Sequence, residues 1–205
     1  MRKIIDIKKN NKFIINTPNF FLKLLDKSHV SKKYLSWLND KKTSEFTYRI
    51  GKKFNLKDIN NHIKEHKESK NTLLLGIFKN NNHIGNLLAK KLYKYQYPKF
   101  LLKNKNIYEI STLVDKRYWQ KGVTKETTIY LANFIFKNFK TNIIIFCCFE
   151  NHFASIIKSI SIGGTISGSK KVYKNKNHKK TLFIKLTRNN FYKKNKIFYN
   201  GFIQK

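Results

Sequence analysis

The apolar positions of this chain fall into two spacings, and their order predicts a mixed fold. Phe20-Phe-Leu-Lys-Leu-Leu25 is a nearly continuous apolar run that reads as a buried strand, stopped by Asp26 and Ser28, residue types that favour helix N-caps. Val30, Tyr34, Leu35 and Leu38 recur at i, i+4, i+5 and i+8, an amphipathic helix that ends at Asn39-Asp40. A second helix is expected from Asn55, with Asp58 as a capping-box acid and Ile59 and Ile63 on one face. Leu73–Lys79 and His83–Tyr93 read as strands of a hairpin joined by Asn80-Asn-Asn82, and Ile107–Val114 as the next strand. Beyond Gly122, the residues Thr127, Tyr130, Leu131, Phe134 and Ile135 carry the clearest helical repeat. Ile143–Cys148 is β-branched and uninterrupted, as parallel pairing on a buried strand would produce. A helix from Phe153 to about Ile162 stops at Gly163-Gly164, and strands Thr165–Tyr173 and Thr181–Leu186 flank a turn from Lys174 to Lys180. The order β-α-α-β-β-β-α-β-α-β-β predicts an α+β fold, a mixed sheet with helices on both faces.

The connecting and terminal segments are polar and basic. Residues 1–18 read as a basic lead-in ending at Pro18, an extra edge strand or a frayed end, residues 19–191 as the domain, and 192–205 as a tail. Phe191, Tyr192, Phe198, Tyr199 and Phe202 give that end an aromatic character. A polar loop from Lys41 to Phe54 holds Glu45, Tyr48, Arg49 and Gly51, and the loop 94–106 carries a weak apolar patch, Phe100-Leu-Leu102.

Composition adds bounds. A chain of 205 residues with 40% apolar content, 17 Phe and 11 Tyr is one domain with a proper core rather than a disordered chain. Its net charge of +33 supports two readings. One is a basic surface for RNA, DNA, acidic lipid or a nucleotide substrate. The other is coding bias, because Lys, Asn, Ile, Phe and Tyr all abound, Lys is spread along the whole chain, and only Arg2, Arg49, Arg117 and Arg188 are arginines. The even spread favours bias, with non-specific polyanion affinity at low salt following from the charge alone. Cys147 and Cys148, adjacent in an apolar run, make no disulfide framework. Apolar runs fall short of a membrane span, and the basic opening lacks a signal-peptide core, so a soluble cytoplasmic protein is expected.

The candidate chemistry centres on Asp115-Lys-Arg-Tyr-Trp-Gln-Lys-Gly-Val-Thr-Lys-Glu126. A strand, a glycine-containing turn and a helix N-terminus make an anion site, because unpaired N–H groups and the positive end of the helix dipole face the ligand. Around it, Tyr34-Leu-Ser-Trp-Leu-Asn-Asp40, His83-Ile-Gly85, Tyr118-Trp-Gln-Lys-Gly-Val-Thr124 and Glu150-Asn-His-Phe-Ala-Ser155…Gly163 follow one another. In that order they resemble segments of the GCN5-related N-acetyltransferase (GNAT) superfamily, in the branch similar to ribosomal-protein and sugar-amine N-acetyltransferases. The resemblance runs from about Phe20 to Phe191.

It implies a mostly antiparallel, twisted sheet with a notch where the fourth and fifth strands, Ile107–Val114 and Ile143–Cys148, splay apart around acetyl-CoA. Backbone groups near Val114 would hold the pantetheine arm, and the amides of Gln120, Lys121, Gly122, Val123 and Thr124 the pyrophosphate. Asn151 and Ser155 would lie by the thioester, with Asn151 also touching the coenzyme, and Glu109 would act as base through water. The reaction so implied is acetyl transfer to a primary amine by direct attack, which needs no covalent intermediate. An amino-sugar nucleotide or small amine, possibly anionic in the former case through basic loops, is favoured as acceptor over a protein N-terminus, and monomer and dimer both stay open. No metal is expected: His62 and His66 lack a third ligand. Gln120 stands where the branch has Gly, Thr124 where it has Gly or Ala, and Gly164 where it has Phe. The alternative is therefore a transferase-like fold without catalysis, serving as a binding module that stacks nucleic-acid bases on Phe191, Tyr192 and Tyr199.

Overall fold

A computed structural model describes residues 3–10, 12–47, 51–93, 106–174 and 177–201. In chain order the elements are α1 (Ile4–Lys9), β1 (Ile14–Asn16), β2 (Phe21–Leu24), α2 (Lys32–Asn39), α3 (Lys41–Ser44), α4 (Leu56–Glu68), β3 (Thr72–Lys79) and β4 (Asn82–Lys91). They continue with β5 (Tyr108–Val114), α5 (Val123–Asn138), β6 (Ile143–Phe149), α6 (Phe153–Ser161), β7 (Thr165–Lys174), β8 (Asn177–Thr187) and α7 (Arg188–Lys194). Eight strands form one mostly antiparallel sheet in the order β1-β2-β3-β4-β5-β6-β8-β7. The chain divides into two compact units, Arg2–Lys90 with Ser111–Leu131, and Lys91–Ile110 with Ala132–Lys205, so the boundary cuts β5 and α5.

In the amino-terminal unit, β3 pairs antiparallel with β2 and β4, and the hairpin turn works as its Asn-rich sequence predicts: Asn80 and Asn81 take φ of 47° and 63°. Leu74 and Phe78 point to one face and pack with Tyr34, Trp37 and Leu38 of α2 and Ile59 and Ile63 of α4. Leu73, Leu75 and Ile77 alternate to the other face and are equally buried. Ser31 caps α2, and Asn55 with Asp58 forms the capping box of α4. The lead-in contributes α1, with Ile4 and Ile7 buried, and the strand β1.

In the carboxy-terminal unit, β6 is antiparallel to β8 along its whole length, from Ile143↔Thr187 to Phe149↔Thr181. Its parallel pairing with β5 has two partnered positions, Tyr108↔Ile144 and Glu109↔Ile145. The unbroken apolar run thus reports burial on both faces, which parallel and antiparallel neighbours impose alike. The strand β8 starts at Asn177, so the turn expected over Lys174 to Lys180 is shorter. The chain end also differs from expectation. Phe191 and Tyr192, read as base-stacking residues, are 0% and 6% exposed on α7, where they pack against Phe136, and Tyr192 Oη donates to Asn133 Oδ1. A helical rather than extended tail places both rings inward. The side chain of Tyr199, the patch Phe100-Leu-Leu102, the loop residues Tyr48 and Arg49, and Phe202 lie outside the described residues. Among the described residues no helix is long and apolar enough to cross a membrane.

Candidate active site

The β5–turn–α5 segment is locked to β4 before the turn begins. Asp115 N donates to Ile84 O at 2.9 Å. A Cβ on Gly85 would sit 2.7 Å from Leu113 O and 3.0 Å from Val114 Cγ2, so glycine alone permits this approach of two strands. His83 beside it is half-buried against Trp37 and Phe78; loss of solvent drops its imidazole to about 4, although Nε2 meets Asn86 Oδ1 at 2.7 Å. The His83-Ile-Gly85 segment therefore packs and registers β4 against the end of β5.

The turn itself is braced by charge. Asp115 is 2% exposed, and its carboxylate accepts from Arg117 N at 3.1 Å, Arg117 Nε at 3.0 Å and Arg117 Nη2 at 2.5 Å. Burial alone would raise this carboxyl, but the bonds from Arg117 hold it below the ordinary value. Lys116 Nζ reaches Asp40 Oδ2 at 2.5 Å, and this bond, with those from Thr43, lowers Asp40 to about 2. The Trp-Leu-Asn-Asp segment now has a physical account. Trp37 and Leu38 fill the core, Asn39 grips Phe54 N and O at 2.8 and 2.9 Å, and Asp40 joins α3 to the turn. Trp119 Nε1 donates to Val114 O at 2.9 Å, which occupies one of the backbone acceptors expected to serve the pantetheine arm.

After Trp119 the backbone turns left-handed twice, at Gln120 (φ 60°) and Gly122 (φ 74°). Gln120 therefore adopts the conformation that favours glycine, at a cost of about 1 kcal/mol. A Cβ on Gly122 would meet nothing within 4 Å, so the space over the start of α5 is open. The first helical bond runs from Glu126 N to Gly122 O, leaving the amides of Val123, Thr124 and Lys125 ahead of the helical ladder. Lys121 Nζ lies over the Tyr118 ring at 5.4 Å. Glu126, in the first helical turn, faces away from an anion's needs: its carboxylate accepts from Thr17 Oγ1 at 2.6 Å and from Asn19 N and Nδ2, both at 2.8 Å. It pins the β1–β2 turn to α5. Val114 and Gln120 to Thr124 thus lie along one braced strand–turn–helix segment, and amides at a helix start are donors a phosphate group can use.

The carboxy-terminal unit holds the other candidates, and it separates them. Glu109 bonds the thiol of Cys147, whose titration is pushed up by burial and then by the Glu109 charge. Ser155 bonds Cys148 instead. Adjacent strand residues point to opposite faces, so Glu109 and Ser155 lie on opposite faces of β6. Asn151 is exposed in the turn before α6, where His152 rather than Asn151 stands at the N-cap and makes no side-chain capping bond. Neither the brace at Asp115, nor the clamp at Glu126, nor Lys158 of α6 was found from sequence. The signal for Lys158 was present: between Glu150 and Lys170 it is the one Lys, Arg, Asp or Glu. Among the described residues no cluster of three His, Cys, Asp or Glu could hold a metal ion.

A mostly antiparallel sheet carrying an amide-lined strand–turn–helix defines the class. The chain belongs to the acetyltransferase (GNAT) domain family, whose pattern matches residues 20–159, and so to the acyltransferases. No curated protein sequence matches it significantly. Similar solved structures include a GNAT-family acetyltransferase from Bacillus anthracis, with 16% identity, TM-score 0.71, and 85% of this chain and 98% of that one covered. A ribosomal-protein alpha-N-acetyltransferase in complex with coenzyme A has 14% identity and TM-score 0.72 over 85% and 98% of the two chains. An acetyltransferase from Salmonella typhimurium that modifies the N-terminal serine of a 50S ribosomal subunit protein has 15% identity and TM-score 0.70 over 85% and 99%. At these identities the likeness is one of fold.

Proposed function

We propose that the chain transfers an acetyl group from acetyl-CoA to a primary amine by direct attack. The observation that carries this reading is the start of α5, where Gln120 and Gly122 turn left-handed, a Cβ on Gly122 would meet nothing, and the first amides precede the helical ladder. Gln120 departs from the family's glycine in composition yet adopts glycine's conformation, which argues for a turn still shaped to bind phosphate. The amides of Gln120, Lys121, Gly122, Val123 and Thr124 would hold the pyrophosphate, the end of β5 at Val114 the pantetheine arm, and Asn151 and Ser155 the thioester end. Glu109 would take the proton lost by the attacking amine, and only through water, since it lies on the face of β6 opposite Ser155.

For the acceptor, the reading is a small amine or an amino-sugar nucleotide, with a protein N-terminus as the competing class. Lys41 and Lys42, which form the start of helix α3 where a loop from Lys41 to Phe54 was expected, and Lys52 and Lys53 after it give this segment a basic character that would favour an anionic acceptor. Calorimetry with acetyl-CoA, followed by turnover with a panel of amines, amino-sugar nucleotides and N-terminal peptides, tests both levels. Coenzyme binding with turnover of an anionic amine is expected. Absence of acetyl-CoA binding at high protein concentration would remove the catalytic reading and leave a binding module.

A further inference from the structure

Helix α6, which packs against β6, β7 and β8, is built inside out. Its packed side carries polar groups. Ser155 bonds the Cys148 thiol, the Lys158 amine lies 4.4 Å from the centroid of the Phe146 ring, and Ser159 is 0% exposed with its hydroxyl donating to Ser155 O at 2.8 Å. Its open side is apolar. Phe153, Ile157 and Ile160 recur at i, i+4 and i+7 on one face of the helix and are 68%, 66% and 45% exposed. A surface helix ordinarily buries such a stripe and shows its polar face to water.

The neighbouring strands extend this surface and give it a charge. Ile166 of β7 pairs with Ile184 of β8, which pairs with Phe146 of β6, so all three point to the side that α6 covers. Ile166 is 54% exposed there. Lys171 and Lys180 pair with each other on that same side, and both are exposed. Lys180 lies 3.8 Å from Glu150, a half-exposed pair that neutralises little. Beyond Glu150 the chain has no acid: all 11 Asp and Glu stand at or before it, while lysines continue to Lys205.

That charge selects what covers the apolar stripe. A second copy would bring the same cations against themselves, because a two-fold interface sets like against like. The exposed apolar side chains amount to a few hundred Å², below the roughly 800 Å² per partner of a stable dimer, so a dimer would have to enclose the basic rim as well. An anionic bilayer surface matches both features. Apolar side chains enter the acyl boundary, and lysine stems lie along it while their ammonium groups meet lipid phosphates. We propose that the outer face of α6, with the start of β7, is a peripheral docking surface for an anionic lipid bilayer. Phe153 and Ile157 insert, and Lys171 and Lys180 contact the headgroups. Docking there needs no coenzyme and is independent of the acetyltransferase reading.

The test is flotation of the intact protein with vesicles of phosphatidylcholine alone, or of phosphatidylcholine and phosphatidylglycerol in equal parts, at physiological salt. Binding to the anionic vesicles only is expected. The Phe153→Ser/Ile157→Ser double variant should bind them at least about tenfold more weakly. It should keep the parent's denaturation midpoint and its retention on heparin, which reads charge alone. Lys171→Gln and Lys180→Gln should each weaken vesicle binding about fivefold. Equal binding of parent and double variant to anionic vesicles would mean bulk charge only and overturns the proposal. So does a lipid-free dimer, seen by sedimentation equilibrium, that the double variant dissolves, because a second copy then covers the stripe.

Discussion

Two strand–turn–helix segments carry the candidate chemistry, and they are built on opposite plans. The β5–α5 turn is a braced backbone. Asp115 holds Arg117, Lys116 reaches Asp40, and Glu126 clamps Thr17 and Asn19, so side chains are spent on fixing where amides lie. The β6–α6 turn has little of this. His152 makes no side-chain cap bond, and the ion pair of Glu150 with Lys180, 3.8 Å apart and about half exposed on both sides, adds little. What α6 supplies instead is side chains, Ser155 and Lys158, pressed against Cys148 and Phe146. A phosphate is recognised by many weak donors that must be pre-aligned, whereas acyl chemistry needs one or two side chains of suitable protonation. The difference in bracing suits the tasks proposed for the two turns.

The sharpest way to break the first plan is at its root. Gly85→Val drives a side chain into Leu113 O and should cost about 3 kcal/mol or more, read as a lower midpoint in chemical denaturation. Next comes the second plan. Lys158→Met should raise stability at pH 7 by up to about 3 kcal/mol, because the enclosed amine favours its neutral form. The folded amine titrates below its unfolded value of 10.5, so its penalty is full below about pH 8 and fades as pH rises toward 10.5. Denaturation curves of the two proteins should therefore converge at alkaline pH; a gap unchanged by pH would show that packing, not charge, is responsible.

Glu126→Gln is expected to cost about 1–2 kcal/mol at neutral pH through weakened charge-assisted bonds to Thr17 and Asn19. Burial would raise the Glu126 carboxyl, but those bonds win and hold it below 4.5. Its stabilisation is thus full above that value and is lost as pH falls through the lower folded one, so thermal melts of parent and variant should meet in acid. The smallest effect is at the turn itself. Gln120→Gly relieves a left-handed φ at the expense of backbone entropy, for a net gain of about 0.5 kcal/mol, with acetyl-CoA affinity retained or improved by calorimetry. A loss of stability there would mean that the Gln120 side chain, and not just its backbone, supports the turn.

Much of the fold was legible because local patterns and global burial agree. The capping box at Asn55, the Asn80-Asn81 hairpin turn and the repeat over α5 are each specified within a few residues, and each forms as expected. The glycine-containing turn was legible from Gly122, but a glutamine gives no local sign that it will take a positive φ, as Gln120 does. The braces were invisible for a different reason. Asp40 with Lys116, and Thr17 with Glu126, join residues far apart in sequence, and only the packed strands bring them within bonding distance. The same holds for Phe191 and Tyr192, whose aromatic-basic surroundings suggested a surface until α7 turned them inward.

By itself, then, the sequence determined the element order, the α+β class, the position of the amide-lined turn and the family to which that turn belongs, because strand and helix spacings and short motifs are local properties. Tertiary structure decided which face each candidate occupies. Adjacent strand residues Cys147 and Cys148 look to opposite sides, so pairing in the sheet is what sends Glu109 to one and Ser155 with Lys158 to the other. It also decided the state of Lys158, since a lysine is an ordinary cation until packing encloses its amine without giving it an anion.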